Sequence, residues 1–294
     1  VRLAIDDDLR RGMEEAYRRM MLQVQAGVPI YGCSTGYGAR ANEIAGPHTA
    51  SERVALARRL SDSIVHTDVS VGPELPSDVV RAAIAVRINM LLNDCSAVRS
   101  TDLELLAQLL NRRLTPVVHA YGGLGASGDL AHNARVGSVL RRLPGARVRT
   151  AQGDVLEASD ALKEAEIAEL RLEPKAGLGL VNGDNFSTAA AALLTADLVE
   201  AQLVADVLGA MVFEALLASD RSFHPMLFTL RPHAGAVESA ALYRSLLEGS
   251  KLARQEMLGH GRRPVGEVIQ DGYSLRALAQ SEAPNREILK QAIA

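Results

Sequence analysis

The 294-residue chain has no Trp, only four Phe and six Tyr, and only two Cys. With so few rings, Leu, Val, Ile and Ala must fill the core. Ala- and Leu-rich sequence with 23% charged residues favours helix over sheet. Cys33 and Cys95 cannot make a disulfide framework, and they fit a reducing cytoplasm. A basic excess is also missing: 32 Lys and Arg face 35 Asp and Glu, a net charge of −3. That balance leaves no electrostatic footprint for nucleic acid or an anionic membrane. The chain opens Val1-Arg2-Leu3-Ala4-Ile5-Asp6-Asp7-Asp8, without the long apolar run of a secretory signal. Its longest apolar region, residues 189–218, contains Asp197, Glu200, Asp206 and Glu214. Those charges predict a buried helix of a bundle rather than a membrane span. The His residues lack ligand spacing, so no metal is expected.

What is present is glycine in an informative place. Gly122-Gly123-Leu124-Gly125-Ala126-Ser127-Gly128-Asp129-Leu130 brackets one hydroxyl between small residues. It is not a phosphate loop, because no Gly-Lys-Ser/Thr follows, and no nucleotide is expected. It is not a hydrolase elbow either, since Asp129 stands where the second Gly would be needed. A flexible turn is the plain reading. The chemical reading is that the backbone nitrogen of Gly128 reaches the carbonyl carbon of Ala126, with little side-chain bulk to oppose it. Ring closure with loss of two waters would give a methylidene-imidazolone, an electrophile that attacks amines.

Four further segments surround this loop: Tyr31-Gly32-Cys33-Ser34-Thr35-Gly36-Tyr37-Gly38, Gly177-Leu178-Gly179-Leu180-Val181-Asn182-Gly183, Arg231-Pro232-His233, and Gln270-Asp271-Gly272-Tyr273-Ser274-Leu275-Arg276. In this order around Ala-Ser-Gly-Asp they closely resemble the histidine and aromatic amino-acid ammonia-lyases and their aminomutase relatives. The resemblance covers about residues 1–276, in spacing as well as in motifs. It implies a mainly α fold of the aspartase/fumarase-like superfamily: an irregular N-terminal domain carrying the electrophile, then a bundle of long helices. A boundary near Glu173-Pro174-Lys175 divides residues 1–174 from residues 175–294.

The resemblance also implies roles. An electrophile from Ala126-Ser127-Gly128 would bond the substrate amine, and Asp129 would orient the loop while it cyclises. Tyr31 matches the family's catalytic base, which needs hydrogen-bonding or positive neighbours to ionise. Asn182 would bind the electrophile or the carboxylate; an Asn-Gly turn is its rival reading. Arg276 is the carboxylate clamp, since a guanidinium fork binds bidentately. Gln270 and Tyr273 match positioning residues, and a spacing of three places them with Arg276 on one helix face. The family reads the substrate ring with a pair of residues, here His66-Thr67. Counted back from Gly72, His66 takes the first position, which leans to a phenolic ring and tyrosine; a one-residue gap reverses that. The activity implied is elimination of ammonia from an aromatic amino acid or histidine to an α,β-unsaturated acid. An aminomutase remains open.

The helical pattern predicts segments at 7–26 ending at Gly27, 51–64, one from Ser77 with Val79, Ala83, Val86 and Met90 on one face, 130–140, 188–218 and 237–248. Thr101-Asp102-Leu103-Glu104 reads as a capping box and 145–156 as a hairpin. Asp129 is placed to cap the helix after it. Three departures from the family stand out. Asp184 replaces the Thr that usually follows Asn-Gly. Asp68 and Ser70 are unusual in the specificity loop. The helical half that normally follows the Tyr-Ser-Leu-Arg motif is short. The chain is therefore expected to be a fragment, a split subunit or a non-catalytic relative. It is expected to assemble, as a homotetramer or with a chain supplying the C-terminal half.

Overall fold

The computed structural model describes residues 2–43, 49–93, 95–124, 128–257 and 270–294. Its elements follow from local chemistry. Helix α1 (Asp7–Ala26) starts where the Asp6 carboxylate accepts the Leu9 N–H, and stops at Gly27, which takes the left-handed conformation (φ 82°). Helix α2 (Ala50–Ile64) opens with a reciprocal capping box between Thr49 and Glu52. Helix α3 (Ser77–Leu91) buries Val80, Ala83, Ile84, Arg87, Ile88 and Leu91. The expected face on Val79, Val86 and Met90 is thus one residue out of phase; apolar residues occur on both sides of α3, and tertiary packing decides between them.

Helix α4 (Ser100–Asn111) corrects a second expectation. It is preceded by Arg99 and has no side-chain cap. The Ser100 N–H and hydroxyl instead donate to Glu14 on α1, at 3.2 and 3.0 Å. A distant carboxylate therefore does what the local Thr101 box was expected to do. Helices α5 (Leu130–Leu140), α6 (Ala158–Glu164) and α7 (Ala176–Val181) complete this region. Strands β1 (Val71–Glu74) and β3 (His119–Tyr121) pair antiparallel, Val71 opposite Tyr121. Strand β2 (Thr115–Pro116) pairs with β4 (Arg147–Arg149), which forms the expected hairpin with β5 (Val155–Glu157).

The long α8 (Asn185–Ala215) begins three residues before the sequence pattern placed it. It is followed by α9 (Pro225–Leu230), α10 (Ala234–Leu246), α11 (Tyr273–Arg276) and α12 (Leu278–Ile293). By packing, the chain divides into residues 1–191 and 192–294, so the division falls within α8, beyond Pro174. The first unit holds a large aliphatic core from α2 to α7 and the start of α8. The second is built on Phe213, Phe223, Tyr243 and small residues of α10 and α12. Asp206 is buried there by a two-pronged ion pair with Arg286, at 2.9 and 2.8 Å. The expectation of a buried α8 holds only in part: Phe186, Ala189, Asp206, Ala210 and Phe213 are buried, but Leu194, Leu198, Leu208 and Met211 are exposed. No helix among the described residues is long and apolar enough to cross a membrane.

Candidate active site

The glycine-rich loop is held at both ends. Strand β3 feeds Gly122, whose missing Cβ lets it lie against Ala131 and Ser70. Across the loop, the Leu124 N–H donates to the Gly128 carbonyl at 2.9 Å. Gly128 sits at φ 76°, where glycine carries no steric penalty. It forms a bridge to Gly183, and the Asp129 N–H donates to the Gly183 carbonyl at 2.9 Å. A Cβ on Gly128 would also crowd Asp184 at 3.3 Å. The conformation favours glycine here, and the tight spacing adds to that. Ala126 and Ser127 lie outside the described residues.

Asp129 does not cap α5, as expected from its position; that helix has no side-chain cap. Its carboxylate turns to α8, accepting the N–H groups of Phe186 (2.8 Å) and Ser187 (3.0 Å) and the Ser187 hydroxyl (3.1 Å). The free N–H groups and positive end of a long helix are better partners for an anion than its own turn. His132 packs beside it, 5.2 Å from the Phe186 ring, with Nε2 3.1 Å from the Ala120 carbonyl. Asp129 therefore ties the end of the loop to the start of α8.

Asn182 closes α7. Its side chain is exposed and makes no hydrogen bond to another described residue. Its backbone is held from below. Arg87 donates through Nη2 to the carbonyls of Gly179 and of Asn182, the latter at 2.7 Å. Burial pushes this guanidinium down to about 10, and the Asp184 carboxylate opposes the shift. Asn133 donates to the Val181 carbonyl (3.1 Å) and to Asn185 Oδ1 (2.8 Å), and Asn185 returns a bond to Asn133 Oδ1 (3.0 Å). Sequence reasoning missed Arg87, Asn133 and Asn185. Only Arg87 left a signal: a charge inside the largely apolar stretch 82–91 of α3.

Tyr31 lies on a loop whose turns are closed by Ile30, which accepts from Cys33 and Ser34 at 3.0 and 2.9 Å. The Gly38 N–H donates to the Tyr31 hydroxyl oxygen at 3.1 Å, and the ring is half exposed, edge-on to Tyr37. Tyr37 is its opposite: its hydroxyl donates to the Leu60 carbonyl at 2.8 Å, and burial pushes its phenol well above the ordinary value. Gly32 presses against Leu178, which seats the loop on α7. Loop, helix and the Gly128–Gly183 bridge thus share one support.

His66 and Thr67 form a 3-10 turn after α2, and both are exposed. The Thr67 hydroxyl donates to the Ile64 carbonyl at 2.6 Å. The two unusual residues of this loop pin it: Asp68 pairs with Arg135 of α5 at 2.7 Å, and the Ser70 hydroxyl donates to Asp68 at 2.7 Å. Ser70 in turn lies under Gly122, so the His66 turn adjoins the glycine loop.

In the second unit, Arg276 Nη1 donates to Gln270 Oε1 at 2.8 Å, and its guanidinium lies 5.3 Å from the Tyr273 ring centre. The three side chains do meet, but Gln270 precedes the helix instead of sharing its face. All three are exposed, Tyr273 by 76%. Asp271 anchors them: it accepts the Ser219 N–H at 2.7 Å and pairs with Arg254. Among the described residues, no group of three or more His, Cys, Asp or Glu is placed to hold a metal.

Comparison with known proteins agrees with these motifs. The family profile described as "Aromatic amino acid lyase" matches residues 1–294. Histidine ammonia-lyase of Sorangium cellulosum is 39% identical over 258 residues, which cover 88% of this chain and 47% of that protein. Phenylalanine ammonia-lyase from the yeast Rhododporidium toruloides superposes with a TM-score of 0.82 at 29% identity, over 99% of this chain and 42% of that one. Tyrosine aminomutase from Streptomyces globisporus gives 0.83 at 29% identity, over 98% and 55%. The chain spans about half the length of the curated relatives it matches.

Proposed function

The chain belongs to the aromatic amino acid lyase family, and on that premise we propose that it serves an ammonia-lyase that eliminates ammonia from an aromatic amino acid or histidine. The observation that carries this reading is Gly128, held in the left-handed conformation between Leu124 and Gly183. That backbone suits closure of Ala126-Ser127-Gly128 into a methylidene-imidazolone. When formed, the group supplies an electrophilic carbon for the substrate amine.

The remaining roles fall to ordinary side chains. Tyr31 takes the β-proton; the Gly38 N–H that its oxygen accepts fixes where that oxygen sits. Asn182 offers an exposed amide, donor and acceptor, for the electrophile or the substrate carboxylate. Arg276 binds the substrate carboxylate as a fork, and Gln270 fixes one of its nitrogens. Tyr273 stacks on that guanidinium and keeps it in place. His66 donates to or accepts from a ring hydroxyl, which favours tyrosine; Thr67, engaged with Ile64, keeps the turn closed. Asp129 holds the loop during cyclisation.

Formation of the unsaturated acid, read by ultraviolet absorbance with tyrosine, phenylalanine and histidine in parallel, tests the reading. Tyrosine is expected to turn over fastest, and a clear histidine preference rejects the role of His66. Similarity to a tyrosine aminomutase keeps a second reading, in which the amine returns to the β-carbon. Chromatography for a β-amino acid separates the two. The exposed apolar side of α8 supports assembly into a homotetramer or with a chain supplying further helices. Light scattering that finds a monomer rejects assembly. The free thiols of Cys33 and Cys95 suit the cytoplasm.

A further inference from the structure

Arg87 is buried to 4% exposure in the apolar face of α3, among Ala83, Ile84, Ile88 and Leu91. A charge so placed needs partners. Arg87 finds no carboxylate within ion-pair distance among the described residues. It donates to the carbonyls of Gly179 and Asn182 instead. These belong to the last turn of α7, where carbonyls have no helical donor. The next residue, Gly183, has no room for a Cβ because Arg87 Nη1 occupies that space.

Asn133 completes the arrangement, donating to the Val181 carbonyl at 3.1 Å and reaching that of Gly183 at 3.5 Å. Four carbonyls, those of residues 179, 181, 182 and 183, are thus aimed by two buried side chains. The Gly183 carbonyl is the one that receives the Asp129 N–H, and Gly183 is the partner of Gly128. A chain of contacts runs from Arg87 through the end of α7 to the residue whose nitrogen must close the ring.

We propose that Arg87 is a positioning residue for self-cyclisation: by fixing the end of α7 it holds the Gly183 segment that keeps Gly128 in its left-handed conformation. The assignment rests on the electrophile reading given above. The step served is balanced without an oxidant. The Gly128 nitrogen bonds to the Ala126 carbonyl carbon. One water leaves with the Ala126 oxygen and the amide hydrogens of Gly128 and Ser127. The second leaves with the Ser127 hydroxyl and its α-hydrogen. Both carbonyls are met by Nη2 while Nη1 fills the space beside Gly183, so the two nitrogens of a planar guanidinium serve different parts of the turn, which a single lysine ammonium does not reproduce.

The test is intact mass of the unsubstituted chain and of Arg87→Met, Arg87→Lys and Ile84→Ala, with circular dichroism reporting the fold. Ile84 shares the buried face of α3 and serves as the packing control. The unsubstituted chain and Ile84→Ala are expected to lack two waters. Folded Arg87→Met is expected to show the deficit in at least ten-fold fewer molecules, with Arg87→Lys intermediate. The assignment is overturned if folded Arg87→Met matures fully, or if Ile84→Ala loses the deficit equally. It is also overturned if neither Arg87 variant folds while Ile84→Ala does, since Arg87 is then scaffold alone. Full mass in the unsubstituted chain strikes the electrophile reading itself, before any substitution is compared.

Discussion

The two units use polar side chains in opposite ways. In the first, Arg87, Asp129, Asn133 and Asn185 are all 5% exposed or less: Arg87 and Asn133 bond to carbonyls at the end of α7, Asp129 to the N–H groups that start α8, and Asn185 to the Ala83 carbonyl of α3 and to Asn133. In the second, Gln270, Tyr273 and Arg276 lie open to solvent, and the neighbouring Asp271 anchors their segment. The contrast has a physical sense. A segment proposed to cyclise on its own backbone must be held in one conformation, and buried donors do that. Groups that meet a small molecule must be reachable. Substitutions of those four buried residues should therefore change stability and maturation together. Those of Gln270, Tyr273 and Arg276 should change binding alone.

The largest expected effect is that of Ser127→Ala. Without the hydroxyl the second water cannot leave, and activity should fall on the order of a thousand-fold or more while the fold persists; mass and product absorbance check both halves. Next comes Arg276→Lys. Loss of the fork should raise KM for the amino acid about 10- to 100-fold, with melting temperature and mass deficit unchanged. A drop in melting temperature would break the comparison, because it would give the exposed clamp a structural duty. Asp129→Asn should lower stability by about 1–2 kcal/mol, since the charged cap of α8 is lost, and should slow cyclisation as well. Urea denaturation and mass measured on the same sample test this. Unchanged stability would remove the link between loop and helix.

The smallest effect concerns an exception within the first unit. Asp102 has a buried carboxylate oxygen without a donor, and burial pushes its pKa up to about 7 despite Arg99 nearby. The folded value lies above the unfolded value of about 3.9. Its contribution to stability is therefore complete below about pH 4 and is lost as pH rises toward 7. Asp102→Asn should flatten that part of the stability profile. A profile identical to that of the unsubstituted chain would show Asp102 to be solvated.

Where the sequence was legible, the cause is local. Helix α1 keeps its expected limits because Asp6 and Gly27 are chemical punctuation at each end. The glycine loop and the Tyr31 loop were legible because backbone geometry there demands glycine, at Gly128 and Gly32. What was misread depends on residues far apart in the chain. Asp129 looks like the cap of α5 until Phe186 and Ser187 are brought to it. Thr101 looks like a cap until Glu14 supplies the acceptor from α1. The Asn133–Asn185 pair is separated by 52 residues and leaves no periodic trace. Arg87 was lost with the phase of α3: a face drawn one residue off leaves the guanidinium outside the core.

The central claim is that this chain builds an electrophile from its own backbone. Intact mass of the purified protein, mapped to the peptide that holds Ala126-Ser127-Gly128, tests it most directly. The account predicts a deficit of two waters confined to that peptide. An unmodified mass in a folded chain would contradict it.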